Sequence, residues 1–328
     1  MEEMEAYVLS STGNQKDRTE EIEKILKEKG SCVLGTGDFY VSGVKMPEGT
    51  TLSGLGEKSC IVLLPEVEEG AAVNLSAFCR IQNLSLTGSR EAFERPVSLG
   101  KRHGVSFVGN AHEKDGKPQP RHAFISGLHI TNFTGGGMYF SDTGVNLEHS
   151  SVVSDVRITF CGAGIWIPYY SEFHKFTNVC ANRNFYGCIN NGGNNVFSCC
   201  SFDGNTEGFL IDNSENQSPN SDHGSVIGCT FNHSDFNKGV GIRVLGAKHG
   251  FIFTSCQCFY SKIVLENSRG IQFANFNGGN SPIEVKGGGL VRFADCIWSP
   301  VPEFVIENNE TVRVDNCYNR LGEKIELN

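Results

Sequence analysis

The sequence predicts an all-β protein that winds as a parallel β-helix, and three observations support this fold class. One strand-like pattern recurs along the chain, and a second short strand follows each of its later copies. The composition favours turns, with 39 glycines among 328 residues. Repeats of this kind stack coil upon coil about 4.8 Å apart, so we expect a solenoid of about ten or more coils.

The first strand of each coil carries one apolar residue that the register places inside the coil. Segments such as GSVIGCTFN, GFIFTSCQCF and GLVRFADCIW share this pattern of alternating apolar and variable residues, which is typical of strands that end in turns. The aligned position recurs at spacings of 20 to 44 residues and falls at Leu84, Leu128, Val156, Val179, Cys200, Cys229, Cys256, Phe276, Cys296 and Cys317.

Residues 17–30 are the one clear helix. Asp17 or Thr19 can cap its start, an apolar stripe runs along one side, and Gly30 ends it. Such a helix can cover the open end of a strand stack, whose unpaired edge would otherwise recruit another chain. The apolar stripe consists of Ile22, Ile25 and Leu26.

We expect three parts of the chain. Residues 1–50 form an N-terminal segment with the capping helix and the first strands, residues 51–319 form the β-helix, and residues 320–328 form a C-terminal tail. Insertions in a solenoid map to its loops, which often carry the binding site. The longer inserts occupy 88–122, 168–175, 213–223 and 232–239.

The second strand of each coil presents one row of residues outward. Its early members, Tyr139 through Leu210, are large and apolar, and such a stripe is rarely left in water. Three interpretations stay open: the contact of a homo-oligomer with a trimer favoured, a platform for sugar rings, or a surface covered by a loop. The predicted row is Tyr139, Trp166, Ile189, Leu210, Arg243, Val264, Glu284 and Val305.

The 13 cysteines predict free, buried thiols rather than disulfides. Cys229 lies between His223 and His233, but its register points it into the core, which disfavours a zinc site. We therefore expect no metal site.

The opening of the chain resembles the pectate-lyase-like superfamily. The resemblance covers residues 17–64 and is extended by the coil repeat. It implies a single-stranded right-handed parallel β-helix, and it implies polysaccharide lyases, glycoside hydrolases, epimerases or phage tail-spike depolymerases as the functional range. No pectate-lyase catalytic signature is recognisable, so the resemblance assigns no catalytic residue. It rests on Thr19, Ile22, Leu26, Gly37, Phe39 or Tyr40, Pro47, Gly49, Leu52, Gly54 and Gly56.

Glycoside hydrolysis needs two carboxylates, one acting as acid and one as base or nucleophile. The richest supply lies within residues 203–223, and Arg243 follows Asp212 by one coil. The candidate catalytic residues are Asp203, Glu207, Asp212, Asp222 and His223. The candidate substrate-binding residues are Tyr139, Trp166, Tyr169, Tyr170, Arg183 and Arg243.

A lyase would instead abstract a proton beside a uronate carboxyl, with that carboxyl neutralised by a cation or by Ca²⁺, the one cofactor considered. The basic residues of KRH at 101–103 and of Arg121–His122 are a candidate anion-binding patch. The leading hypothesis is an enzyme that cleaves an oligo- or polysaccharide in a groove along the coils or between subunits. The alternative is a non-catalytic glycan-binding or structural module, such as a phage tail component.

The charge and the N-terminus narrow the partners and the location. A formal net charge of -9 argues against nucleic acid as a partner. No apolar stretch long enough for a membrane span is present. The first residues lack the pattern of a signal peptide, so we expect synthesis in the cytoplasm, with virion association under the phage interpretation.

Overall fold

The chain coils as a right-handed parallel β-helix in a computed structural model that describes residues 7–89, 91, 94–107, 113–114, 117–118, 121–140, 149–169, 171–215, 221–307 and 311–327. Each typical coil runs through one strand in each of two long parallel sheets, and the later coils add a strand in a third, short sheet. The predicted fold class is confirmed.

Sheet 1 has 15 strands within the described residues. Strands are numbered along the chain. They are β1 (Val8–Leu9), β2 (Ser31–Leu34), β3 (Gly37–Val41), β5 (Thr51–Gly54), β6 (Ser59–Leu63), β8 (Arg80–Thr87), β12 (Arg121–Thr131), β14 (His149–Thr159), β16 (Lys175–Asn182), β18 (Asn195–Ser198), β20 (Gly224–Ile227), β22 (Phe251–Thr254), β25 (Ile271–Ala274), β28 (Val291–Ala294) and β31 (Val312–Asp315).

Sheet 2 has 11 strands within the same residues. They are β4 (Val44–Met46), β7 (Gly70–Leu75), β9 (Arg102–Phe107), β13 (Gly136–Phe140), β15 (Ala163–Ile167), β17 (Tyr186–Asn190), β19 (Glu207–Asp212), β21 (Val240–Leu245), β24 (Lys262–Glu266), β27 (Ile283–Lys286) and β30 (Phe304–Ile306).

Sheet 3 has four strands in the described chain: β23 (Gln257–Phe259), β26 (Asn277–Gly279), β29 (Ile297–Trp298) and β32 (Tyr318–Asn319). A separate antiparallel pair joins β10 (Glu113–Lys114) to β11 (Lys117–Pro118). A short 3₁₀ turn spans Ser234–Asn237.

Helix α1 (Thr19–Lys29) ends where glycine allows it to end. Gly30 adopts the left-handed conformation with φ 72° and donates its N–H to the Leu26 carbonyl, 2.9 Å away. At the other end the Asp17 carboxylate accepts the N–H of Thr19 at 2.8 Å. The predicted stripe of Ile22, Ile25 and Leu26 is buried against the first coils. No helix in the described part of the chain is long and apolar enough to cross a membrane.

The strands before residue 51 already belong to the coil. Strand β2 pairs in parallel with β5, and β4 pairs with β7. Pairing therefore runs continuously across the predicted boundary at residue 50. At the other end, the C-terminal segment returns to the last coil through a bridge between Tyr318 and Lys324, and Ile325 is buried there.

The core is one continuous column of inward-facing side chains. Every member of the predicted inward row from Leu84 to Cys317 is at most 3% exposed. Phenylalanines stack on successive coils beside this row: Phe273 lies 5.0 Å from Phe253 and 4.9 Å from Phe293, with the rings nearly parallel. Stacking like with like buries apolar surface at every coil, which is how a solenoid without a globular core is stabilised.

Cys229 belongs to this column. Its sulfur accepts the N–H of Cys200 at 3.2 Å on the neighbouring coil, and all 13 cysteines are free thiols. Burial raises the pKa of Cys161 and of Cys258 to about 12, which keeps these thiols protonated and unreactive.

Two bends recur in the coils, each marked by a residue with positive φ. The second bend precedes sheet 2 and is fixed by buried amides and hydroxyls just after it: Asn184 accepts the N–H of Cys161 at 2.8 Å, and Asn205 accepts the N–H of Asn184 at 2.7 Å. Each coil thus anchors the turn of the coil before it. The left-handed residue of this bend is Asn132, Phe160, Arg183, Gly204, His233, Tyr260 and Asn280 on successive coils.

Candidate functional site

The outer face of sheet 2, called here the sheet-2 face, collects most of the predicted binding residues. The observed register aligns the predicted row from Tyr139 to Val305 without a slip. The same row continues toward the N-terminus through Ser106, Asn74 and Lys45. Seven coils from Asn74 to Arg243 extend about 29 Å at the usual strand spacing, long enough for several sugar rings in a line.

Three aromatic rings form the centre of this face. Tyr139 and Trp166 meet edge to face with ring centroids 5.1 Å apart. His103 lies nearly parallel to Tyr139 at 4.5 Å and tilted to Trp166 at 5.9 Å. All three are half-buried, so part of each ring faces solvent. Rings held in this way offer a rigid apolar surface for one side of a sugar.

His103 is a neutral imidazole with a fixed tautomer. Its Nδ1 accepts the N–H of Gly136 at 2.8 Å, so the ring proton lies on Nε2. Burial lowers the pKa of His103 to about 4. The ring can therefore donate one hydrogen bond from Nε2 at neutral pH, but it does not serve as a base.

An ion pair lies beyond the three aromatic rings along the solenoid axis. The Arg243 Nε lies 3.0 Å from the Glu207 Oε2, and both side chains are about three-quarters buried. Tyr186 pairs with Glu207 between β17 and β19. Burial, and next the negative charge of Glu207, raise the pKa of the Tyr186 phenol, which stays protonated. One carboxylate, one guanidinium and one phenol therefore meet within adjacent coils.

Tyr169 and Asp212 lie at the carboxyl end of the same strands. The Tyr169 hydroxyl donates to the Asp212 backbone carbonyl at 2.8 Å. The Asp212 carboxylate accepts both the N–H and the hydroxyl of Ser214. Glu207 and Asp212 are five positions apart on the extended strand β19, about 16 Å, which exceeds the roughly 5–10 Å between the paired carboxylates of glycosidases.

A cleft of about 470 Å³ opens at the N-terminal end of the face. It is lined by Ser42, Gly43, Lys45, Gly70, Ala71, Asn74, Leu75 and Ser76. The Lys45 ammonium and the Asn74 amide lie in the same outward row as the rings. The face therefore offers polar groups at both ends and aromatic rings between them.

The outward row is less exposed than its apolar composition suggests. Ile189 is only 4% exposed and Val264 only 3%, although both belong to the outer row. Neighbouring parts of the same chain already cover them. This reduces the apolar area left for an oligomer contact on this row, and the predicted oligomer stays a prediction.

Two predicted catalytic aspartates lie off this face and hold turns together. The Asp203 carboxylate accepts hydrogen bonds from the Ser201 hydroxyl, the Thr230 hydroxyl and the Asn232 N–H at 2.6 to 2.9 Å. Asp222 is fully buried. A carboxylate whose lone pairs are all used in this way stabilises a bend between coils.

The partners of Asp222 come from two coils. Its carboxylate accepts hydrogen bonds from the backbone N–H groups of Lys248 and His249. It also accepts hydrogen bonds from the His249 ring nitrogen Nδ1 and from the Asn213 side-chain amide. His223 lies beside it with its Nδ1 2.9 Å from the Ser221 carbonyl. The structure thus brings Glu207, Arg243, Tyr139 and Trp166 together on one face and places Asp203 and Asp222 elsewhere.

Two further predicted binding residues also lie apart. Arg183 lines a different cleft at the second bend. Tyr170 lies outside the described residues. The predicted patch at 101–103 divides: Lys101 pairs with Glu69, and the Arg102 guanidinium donates to the carbonyls of Leu63, Leu64 and Gly88.

Sequence reasoning missed His103 and Tyr186 as members of the face. Both occupy outward positions near the start of their strands. Tyr186 aligns with the predicted residue Glu207, so extending the outward register toward the start of each strand would have found it. His103 gave no comparable signal, because its stacking on Tyr139 depends on ring orientation.

Metal or cofactor binding has little support in the described residues. No group of three or more His, Cys, Asp or Glu side chains there is arranged to hold a metal ion. The acids of the face are committed to neighbouring groups: Glu207 to Arg243, Asp212 to Ser214, and Glu266 and Glu284 to lysines. The face is suited to stacking and to recognition of one anionic group by a guanidinium.

The fold has been seen before in proteins of other sequences. No protein-family model matches the chain, and no curated protein matches it by sequence. Among solved structures, the A-module of mannuronan C-5 epimerase AlgE4 from Azotobacter vinelandii superposes with a TM-score of 0.69 at 13% identity, covering 94% of this chain and 93% of that one.

Two other solved structures share the fold. The catalytic unit of a GH87 α-1,3-glucanase from Streptomyces thermodiastaticus matches with a TM-score of 0.59 at 11% identity, over 96% of this chain and 69% of that chain. The enzymatically active domain of tailspike protein 2 from bacteriophage CBA120 gives 0.58 at 14% identity, over 96% and 47%. At these identities the likeness establishes the architecture alone.

Proposed function

We propose that this chain is a carbohydrate-active protein that binds a polysaccharide lengthwise along the sheet-2 face and acts on it there. The observation that carries the proposal is the set of Tyr139, Trp166, Glu207 and Arg243 on four coils of one face, with the coil of Tyr186 between Trp166 and Glu207. Solved structures of the same architecture include an epimerase, a glucanase and a tailspike, as their descriptions state. Those descriptions support the substrate class and do not fix the reaction.

The arrangement favours a lyase over a hydrolase. The two carboxylates of β19 are spaced too widely for the hydrolase pair, whereas Tyr186, Glu207 and Arg243 meet. A uronate carboxylate of the substrate would pair with Arg243 and release Glu207 from that guanidinium. Glu207 would then take the proton beside the carboxylate as general base.

The electrons of that step are accounted for within the substrate. The C–H pair becomes a carbon–carbon double bond as the neighbouring bond to the glycosidic oxygen breaks. The protonated Tyr186 phenol supplies the proton that the leaving oxygen needs. The products are an unsaturated uronate and a new hydroxyl end.

A glycan panel tests this reaction. Neutral and acidic polysaccharides are incubated with the protein, and both new reducing ends and the absorbance of unsaturated uronates are recorded. We expect unsaturated product from a uronate polymer, with a loss of about 100-fold or more in rate for Glu207→Gln and for Tyr186→Phe. Glu284→Gln is the matched control, because Glu284 is also ion-paired and half-buried on the same sheet.

Reducing ends without unsaturated product would contradict the lyase chemistry and indicate hydrolysis. Binding without any product would support the second candidate, a non-catalytic glycan-binding module. The saturated hydrogen bonding of Asp203 and Asp222 favours that second candidate, because it leaves few free carboxylates for catalysis.

The homo-oligomer, with a trimer favoured, is a separate proposal from the glycan site. Light scattering at micromolar protein decides it, and Trp166→Glu would dissociate the assembly if the sheet-2 face is its contact. A monodisperse monomer would refute the oligomer and would favour direct access of glycan to the rings.

A further inference from the structure

A second cleft lies at the bends between coils, on a different side of the solenoid from the sheet-2 face. One part has a volume of about 550 Å³ and an adjoining part about 380 Å³. Both parts share Phe160 and Arg183, so they form one continuous depression, called here the bend cleft. Its first part also includes Thr131, Arg157, Thr159 and Asn182. Its second part also includes Arg95, Gly204 and His233.

The bend cleft carries positive charge that the described protein does not neutralise. Arg157 and Arg183 are exposed on adjacent coils, and neither forms an ion pair within the described residues. Asp203, on the coil after Arg183, already accepts hydrogen bonds from Ser201 and from Thr230 and Asn232 of the next coil. Two guanidiniums without a carboxylate partner favour an anionic ligand, because each can bind a carboxylate through two parallel hydrogen bonds.

The floor of the cleft holds an unpartnered hydroxyl. Thr131 is only 9% exposed, yet its Oγ1 has no hydrogen-bond partner in the described part of the protein. Buried polar atoms in folded proteins are nearly always paired, so an orphan that lines a cavity points to a missing ligand. Beside it the Asn182 side-chain oxygen accepts hydrogen bonds from the Ser201 hydroxyl and from the Asp203 backbone N–H. The N–H₂ group of the Asn182 side chain is left to donate to other partners.

The residues at the rim are placed there at a cost to the backbone. The second bend requires positive φ on each coil, and some coils meet it with asparagine or glycine, at Asn132, Gly204 and Asn280. At the cleft the bulky residues Phe160 at φ 56°, Arg183 at φ 60° and His233 at φ 53° occupy this position, as Tyr260 does on the next coil. Large side chains rarely adopt this conformation. Strain of this kind concentrates at functional sites, where the side chain itself is needed.

A loop roofs the cleft and is fastened across several coils. The segment between Gly88 and Arg102, of which residues 89, 91 and 94–101 are described, is closed at its base by the Arg102 guanidinium, 2.9 Å from the Gly88 carbonyl. Its Arg95 donates to the Asp235 carboxylate at 2.8 Å and to the Gly204 carbonyl at 3.3 Å. The loop thus walls one side of the cleft along the solenoid axis.

We infer that the bend cleft is a second saccharide site, specific for an acidic oligosaccharide whose carboxylates pair with Arg157 and Arg183. The Phe160 ring packs against a sugar face, and Thr131 and Asn182 bond its hydroxyls. This site is distinct from the sheet-2 face and goes beyond the proposed reaction, since it requires no catalysis.

Calorimetric titration of the full chain with a hexuronate oligosaccharide tests the inference. We expect Arg157→Gln/Arg183→Gln to weaken binding by at least about tenfold at one of two sites. The control Arg313→Gln removes the same charge from an exposed position on the last coils, where Arg313 has no ion pair among the described residues, and should leave affinity unchanged. The same oligosaccharide with its carboxyl groups reduced to alcohols should lose the arginine-dependent site.

Thr131→Val separates a ligand role from a structural one. The variant removes the orphan hydroxyl, so it should keep or raise the melting temperature while it weakens binding several-fold. The conservative Thr131→Ser should restore the affinity.

Trp166→Ala identifies the other site, on the sheet-2 face, and should not change the arginine-dependent site. Equal binding to wild type and to the double arginine variant would overturn the inference, as would a single site abolished by Trp166→Ala. Equal affinity for a sulfated dextran would also overturn it, because it would reveal a general polyanion surface.

Discussion

The buried imidazole of His103 gives a pH dependence that can be worked out in advance. Its pKa lies at about 4 in the folded chain, against an ordinary value of 6.5, because burial disfavours the charged ring. Below pH 6.5 the unfolded chain therefore binds a proton that the folded chain does not. The folded chain loses stability as the pH falls from 6.5 toward 4. Above pH 6.5 the full stability is present.

The size follows from the two pKa values. Between pH 7.5 and pH 4.5 the linkage amounts to about 2.5 kcal/mol, and water at the open edge of the ring reduces this to about 2 kcal/mol. His103→Asn keeps an acceptor near Nδ1 for the Gly136 N–H but cannot be protonated. We expect the wild type to lose about 2 kcal/mol more than this variant over the same pH range.

Urea unfolding at the two pH values, followed by circular dichroism, measures the difference. The other carboxylates and histidines are present in both proteins, so their contributions to the pH dependence of stability cancel in the comparison. An equal loss in wild type and His103→Asn would refute the reasoning. A two-dimensional NMR titration adds a direct check, since the His103 signal is the one that the variant lacks and should titrate near pH 4.

Three other predictions concern the coil itself. Phe273→Ala removes a fully buried ring stacked on both neighbouring coils and should cost about 4 kcal/mol in urea unfolding, against a loss under about 1 kcal/mol if the stack were incidental. Asp222→Ala should cost about 3 kcal/mol while leaving glycan affinity intact, because two backbone N–H groups lose their acceptor; a drop in affinity without a drop in stability would contradict this. Cys199 is the exposed thiol and should react first with a thiol reagent, whereas rapid labelling of Cys258 in the native protein would contradict its burial.

The long-range register was predictable from the sequence. Each coil repeats one apolar position, and the stacking of Cys200, Cys229 and Cys256 on successive coils follows from that repeat alone. Because the side-chain period of a strand is two, fixing the inward residue also fixed the outward row from Tyr139 to Val305. The capping helix followed from its stripe and from Gly30.

The placement of loops across the coils was not predictable from the sequence. The repeat predicts which residues face outward, but it does not predict how a loop folds back across the coils. The ion pair between Arg95 and Asp235, 140 residues further along, was therefore not visible in the repeat pattern. The roles of the acids were also hidden. Asp203 and Glu207 are four residues apart, yet one bonds to its own bend and the other pairs with Arg243.

The bend cleft was missed for a related reason. Arg183 was a candidate binding residue, but Arg157 lies 26 positions before it in a segment that reads as ordinary outward strand. Only the stacking of coils brings the two together. A scan for bulky residues at the left-handed bend position, which is asparagine or glycine at Asn132, Gly204 and Asn280, would have pointed to Phe160 and His233 beside Arg183.

The most direct test of the sheet-2 face uses the two tryptophans of the chain. Trp298 is fully buried, and Trp166 lies half-buried on the face. In a Trp298→Phe variant, Trp166 is the sole reporter, and acrylamide quenching of its fluorescence is measured with and without a bound polysaccharide. Glycan lying along the face predicts that Trp166 becomes protected from quenching. Binding confirmed by calorimetry with unchanged quenching of Trp166 would contradict the account.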